Sequence, residues 1–371
     1  MPRTAQQSTD DDARMRSAVK ADDGFFTTFF VSSYSPHVVR FAARRALTPN
    51  QVTVASMAVG VLAAAGFATG ERSGLIAGAV ALQLAFLLDC VDGQLARYTR
   101  QFSPIGAWLD AVFDRTKEYL VYAGLAIGAA RTGDPVWVLA GAAMGLQVAR
   151  HAMDFSFSGR HDAQGDTGGL RAIARRHDTG ALSWVKKMLV FPIGERFAAI
   201  SITAAIWSAH TTFVVLLVWG GVAGLYGFAG RLARGRGATP QDLLRRYRDD
   251  GPFAPLLRRM PVPWFIPPLL RVIEYGAILT FVSIAGGSAV AGAFALIAAG
   301  AYRQYDLIYR DGPPPAWTGF VSLGWQGRVL AAAILVAADA APAGLYALAA
   351  AIAVPLVAES VHAQRAKAAA A

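Results

Sequence analysis

Cysteine is almost absent: in 371 residues only Cys90 carries a thiol. That excludes an intrachain disulfide framework and any metal site built from several thiolates. Charge is scarce too, at 16% of residues against 54% hydrophobic, a balance too apolar for an ordinary soluble domain. No internal repeat stands out, which argues against a solenoid or a propeller. Residues 1–24 lack an apolar run, so no cleavable signal is read there, and their polar composition predicts a disordered tail. Acidic residues are the minority, 25 against 35 Lys and Arg, giving a formal net charge of +10. The basic residues are dispersed between apolar runs without a recognition module, so no nucleic-acid partner is expected.

What the chain has instead is a series of runs near the roughly 20 apolar residues that span a bilayer. They predict an all-α, polytopic membrane bundle. Six helices are placed near 51–69, 74–97, 105–130, 134–156, 188–208 and 211–231. About four more follow near 265–286, 288–308, 321–341 and 343–361. The domain boundaries expected from this are a tail over 1–24, a core over 25–235, a cytoplasmic linker over 236–263 and accessory C-terminal membrane helices over 264–371. Phe25–Phe30 and Val38–Arg45 suit an interfacial segment. Alternate loops are rich in Arg and Lys, among them Arg40, Arg44, Arg45, Arg97, Arg100, Arg175, Lys186 and Lys187. The loops between them carry very little positive charge. The positive-inside rule then puts both termini, and the turn between the second and third helices, on the cytoplasmic side of the cell membrane.

That turn interrupts the most informative stretch of the chain. From Asp89 to Asp114 the sequence fits D-x2-D-G-x2-A-R-x8-G-x3-D-x3-D at Asp89, Asp92, Gly93, Ala96, Arg97, Gly106, Asp110 and Asp114. At ordinary residue frequencies the match has a chance probability on the order of 10⁻¹⁰ per starting position. Asp89 and Asp92 lie three apart and Asp110 and Asp114 four apart, so each pair shares a helical face. Ser103-Pro104 suits a short turn, which would bring both pairs to one seam. Each ionised carboxylate in a membrane helix costs at least about 2.5 kcal/mol, so four of them imply compensating cations. Oxygen-only ligands favour Mg²⁺, Mn²⁺ or Ca²⁺ over zinc. The chemistry natural to such a site is phosphoryl or phosphodiester transfer. Cys90, a soft thiol between two hard ligands, is given no role.

The eight residues resemble the signature of the CDP-alcohol phosphotransferase (CDP-alcohol phosphatidyltransferase) family, membrane enzymes of phospholipid and head-group synthesis. The resemblance extends over Phe25 to about Arg234. It implies transfer of a phosphoalcohol from a CDP-alcohol to the hydroxyl of a second alcohol, with release of CMP. It also implies a two-metal Mg²⁺ or Mn²⁺ site on Asp89, Asp92, Asp110 and Asp114, Asp114 as general base, and a homodimer. Gly93, Ala96 and Gly106 would let nucleotide and partner helix approach, and Arg97 would face phosphate. Pro49 and Asn50 read as simple N-capping, while the resemblance makes Asn50 and Thr53 contacts to the CDP moiety. Glu195–Arg196 reads either as a buried structural arrangement or as part of an acceptor-phosphate pocket containing Arg196, Lys117 and Arg150. Asp154, His151 and Lys187 are rim candidates. The acceptor expected is a polyol phosphate such as inositol phosphate or glycerol phosphate. Farther on, Arg303, Asp306, Arg310 and Trp317 read as interfacial or as a second polar site. Two rival classes are a cation-binding transporter and a non-catalytic scaffold retaining the motif.

Overall fold

The computed structural model describes residues 14–19, 24–163, 180–234, 262–286, 289–310 and 313–370. Every regular element among them is helical. A π-helical turn at Thr27–Val31 precedes α1 (Ser35–Arg44), α2 (Pro49–Phe67), α3 (Arg72–Thr99), α4 (Pro104–Arg131) and α5 (Trp137–Ala163). Then come α6 (Ala181–Leu189), α7 (Ile193–Ile206), α8 (Ala209–Arg234) and a 3₁₀ turn at Pro263–Phe265. The last elements are α9 (Ile266–Ala285), α10 (Ala289–Tyr309), α11 (Trp317–Val321), α12 (Gly324–Ala337) and α13 (Ala341–Ala370). Among the described residues six helical segments are long and apolar enough to cross a membrane: α2, α3, α8, Pro263–Ala285, Trp317–Ala337 and Ala341–Lys367. Helices α4, α5 and α10, at three of the ten expected spans, exist at the expected places but carry clustered charges.

The described residues fall into two compact units. One runs to Gly133 and resumes over Thr179–Thr212; the other holds Asp134–Asp178 and Phe213–Ala370. In the first unit α2 packs against α3 and α4, α3 against α7, and α1 against α3. Helix α2 starts sharply because Thr48 makes a capping box: its hydroxyl accepts from the Gln51 N–H at 3.3 Å, and Gln51 Oε1 accepts from the Thr48 N–H at 2.9 Å. The cap is therefore Thr48 and not Asn50, which is left to face elsewhere. Arg100, at φ 58°, ends α3 in the left-handed conformation. Ser103 then caps α4, accepting from the Gly106 N–H at 3.0 Å, with Pro104 at the first position. Glycine lets α4 press onto α2: a Cβ on Gly124 would run into the Ala64 carbonyl oxygen.

Two expectations change. The helix placed at 188–208 is two helices, Ser183–Leu189 and Ile193–Ile206, bent by 71°. Pro192 has no N–H to donate and disfavours helical geometry at Phe191, which adopts φ 55°. Residues 14–18, inside the expected disordered tail, form a helical turn, with Met15 buried beside Val39, Ala42, Val52, Val91 and Leu95. Residues 1–13 and 20–23 of that tail, residue 235 at the end of the expected core, and 236–261 of the expected linker lie outside the described residues.

In the second unit α9 packs on α5 and α12, and α10 on α5 and α13. Its interior holds charge. Glu274 accepts from Arg328 at 2.6 Å and pairs with Arg271 at 2.7 Å, all three essentially inaccessible to solvent. Asp306 accepts from Arg310 at 3.1 Å and from the Ser360 hydroxyl at 2.7 Å, and Arg310 also pairs with Glu359. Arg303, Asp306 and Arg310 are thus buried within the unit rather than spread along its surface, while Trp317 is exposed.

Candidate functional site

The α3–α4 hairpin brings the signature together. One carboxylate oxygen each from Asp89, Asp92 and Asp110 lies within 4.8 Å of the other two. Asp92 is buried, Asp89 half-buried and Asp110 exposed. A single hard cation at 2.0–2.6 Å from each oxygen fits that spacing, so the donor set suits Mg²⁺ or Mn²⁺. The rotamer of Asp92 is fixed by the Thr53 hydroxyl, which donates to its Oδ2 at 2.7 Å.

A cavity of about 460 Å³ opens beside the cluster, within the range of small-ligand sites. Its wall includes Asp92, Gly93, Ala96, Arg97, Gly106 and Asp110 from the signature, with Asn50 and Thr53 from α2 and Gln101, Phe102 and Ser103 from the turn. Gly106 has no room for a side chain, since a Cβ there would sit 2.6 Å from Asn50 Oδ1. Arg97 is oriented from an unforeseen direction: its Nε donates to the Ala18 carbonyl at 2.6 Å.

Asp114, expected among the metal ligands, stands outside the three-carboxylate group. Its Oδ1 lies 3.5 Å from Lys117 Nζ. Lys117, fully buried, also donates to Asp89 Oδ1 at 2.5 Å and to Ser56 Oγ at 2.9 Å. Neither Lys117 nor Arg196 lines the cavity. Arg196 is buried on Glu118, with Nε–Oε1 at 2.8 Å and Nη2–Oε2 at 3.0 Å, and donates to the Phe191 carbonyl at 3.1 Å. Glu195 turns away from Arg196 and accepts from the Phe26 N–H at 3.3 Å. The side chains of Arg196 and Lys117 are thus committed to carboxylates of the protein rather than presented to an acceptor. Arg150 belongs to the second unit, where it donates to Gln147 at 2.9 Å; His151 and Asp154 lie there too, on Tyr305 and Arg231. Lys187 stacks over Trp184.

Residues 46–226 match the CDP-alcohol phosphatidyltransferase family. This stretch is a CDP-alcohol phosphatidyltransferase domain. Residues 253–371 match a family of unknown function, DUF5941. The chain is 35% identical over 121 residues to the archaetidylinositol phosphate synthase of Aeropyrum pernix, covering 33% of this chain and 59% of that protein. It is 42% identical over 83 residues to the bifunctional IPC transferase and DIPP synthase of Rubrobacter xylanophilus, covering 22% and 18%. Identity to the phosphatidylinositol phosphate synthase of Mycolicibacterium smegmatis is 29% over 182 residues, covering 49% and 76%. The chain thus spans between 18% and 59% of the length of the first two relatives. The phosphatidyltransferase domain contains the whole signature, the cavity wall and Lys117.

Proposed function

We propose that this chain transfers a phosphoalcohol group, phosphatidyl or polar, from a CDP-alcohol to the hydroxyl of a second alcohol and releases CMP. One observation carries the proposal: three carboxylates converge on the wall of a cavity built from the rest of the signature. A divalent cation held by Asp89, Asp92 and Asp110 would neutralise pyrophosphate charge. Thr53 keeps Asp92 turned towards that position. Arg97 offers a guanidinium suited to a phosphate oxygen, and Asn50 and the bare Gly93–Ala96 surface receive the nucleotide.

Asp114 is the proposed general base. It takes the proton of the acceptor hydroxyl as the oxygen bonds to phosphorus, and the P–O bond to CMP breaks, with CMP keeping the electron pair. A polyol phosphate, such as inositol phosphate or glycerol phosphate, is the acceptor supported by the similarity to inositol phosphate synthases. The protein works in the cell membrane as a homodimer, with the site and both termini on the cytoplasmic side. The positive charge of the alternate loops supports that orientation, and the family resemblance supports the dimer.

The test is CMP release by the purified protein in lipid with Mg²⁺ or Mn²⁺. CDP-diacylglycerol and CDP-linked polar alcohols are offered against a panel of acceptors. CMP formed with one donor–acceptor pair, and lost in Asp114→Asn, supports the proposal. A protein that binds neither a CDP compound nor a divalent cation overturns it.

A further inference from the structure

Arg97 is held by a part of the chain that lies outside the matched domain. Its Nε donates at 2.6 Å to the carbonyl of Ala18, in the helical turn at residues 14–18, whereas the family match begins at residue 46. We infer that this turn is a working part of the donor site: seated on the core by Met15, it orients the Arg97 guanidinium over Gly93 and so sets the affinity for the diphosphate of a CDP-alcohol. This rests on the transferase function proposed above and deepens it.

A single helical turn is too short to be stable alone, so its contacts hold it in place. Met15 and Ala18 lie three apart and are buried, while Arg14, Arg16 and Ser17 between and beside them are exposed. Met15 belongs to one apolar cluster with Val39 and Ala42 of α1, Val52 of α2, and Val91 and Leu95 of α3. So short a helix leaves its last carbonyls without partners inside it. Arg97 supplies the partner for Ala18, as basic side chains do at helix ends.

The consequence for Arg97 is directional. A guanidinium is planar and rigid, so donation from Nε to Ala18 restricts where Nη1 and Nη2 can lie. Those two nitrogens stand over Gly93, 3.4 and 3.8 Å from where a Cβ would be. Gly93 and Arg97 both line the cavity, together with Asp92 and Asp110. The fork is thus set before a ligand arrives, and binding does not have to order a long side chain. Met15 and Ala18 are positioning residues: they touch no substrate and act through Arg97.

The experiment measures the dissociation constant of CDP, with Mg²⁺, on the full chain in lipid nanodiscs. Met15→Asp, which unseats the turn, is expected to weaken CDP several-fold, and Met15→Leu to restore it. Arg97→Lys is also expected to weaken CDP, and adding Met15→Asp to it is expected to change nothing more. That non-additivity separates action through Arg97 from general loosening of the fold. A second readout needs only the wild type. Binding is reciprocal, so CDP is expected to slow amide hydrogen exchange at residues 15–19, and this decides the matter even where Met15→Asp fails to fold. Unchanged CDP affinity in Met15→Asp, additive effects in the double variant, or exchange indifferent to CDP would each overturn the role given to the turn and leave the transferase function standing. Tighter CDP binding in Met15→Asp, or faster exchange with CDP, would overturn it too, by making the turn a plug. A wild type that binds no CDP overturns the transferase function itself, and this role with it.

Discussion

Gly106 shows how closely the site depends on single atoms. A methyl at that position would come 2.6 Å from Asn50 Oδ1, so Gly106→Ala must push Asn50 off the cavity wall. The same methyl would come 2.8 Å from Ser103 Oγ, the cap of α4, so the expected outcome is a several-fold rise in the KM for the CDP-alcohol, read from initial rates of CMP release, with a modest fall in thermal stability. Asp114→Asn differs in kind. It keeps the shape and removes the proposed base, so kcat is expected to fall by about 10²–10⁴-fold while CDP binding persists. The carboxylates, Gly93, Ala96, Arg97 and Gly106 were legible because their spacing is periodic and lies within 26 residues. Lys117 gave a weaker sign, one charge among several in Asp114–Glu118, and its partners Ser56 and Asp89 are on other helices. The Glu118–Arg196 pair spans 78 positions, and no local pattern announces it. Sequence left Arg196 open between a buried structural arrangement and an acceptor contact, and the fold pairs it with Glu118.

At the level of elements, hydrophobic length placed most helices within a few residues, because each run ends at Gly, Pro or a charged turn. The break at Phe191–Pro192 is the exception, although an X-Pro pair in an apolar run is its visible cause. Packing between elements was harder to read. The approach of α4 to α2 depends on Gly124 lying over the Ala64 carbonyl, a fact of crossing geometry rather than of composition. Gly124→Ala is expected to force these helices apart and to cost about 1–3 kcal/mol, seen as a lower thermal transition in detergent. Because α2 carries Thr53 and Asn50 while α4 carries Asp110, weaker metal binding should accompany it.

At the scale of the whole molecule the chain holds two units with different interiors. The first has a cavity whose wall includes the buried polar side chains of Thr53 and Asp92. In the second, the Arg271–Glu274–Arg328 set is closed, with Glu274 fully buried between two guanidinium groups. Glu274→Gln would leave two buried cations with no carboxylate between them, at a cost of about 3–5 kcal/mol. The expected result is a large loss of thermal stability, with CDP and Mn²⁺ binding retained in whatever fraction stays folded. Sequence showed that the second unit is helical and apolar, but not that its charges are internal. Arg303, Asp306 and Arg310 sit near a helix end, where interfacial and buried arginines look alike.

Lys117 and all four aspartates lie on α3 and α4, a hairpin joined by a four-residue turn. The costly charges of the site and their first counter-charge are thus made within seconds of one another on the ribosome and leave it as one segment. The hairpin can enter the bilayer with Lys117 already neutralising part of its own acidity, before α7 has been synthesised. Biogenesis of this site is then a local event, and a stalled chain ending just after α4 already contains the ammonium that makes its carboxylates tolerable to lipid.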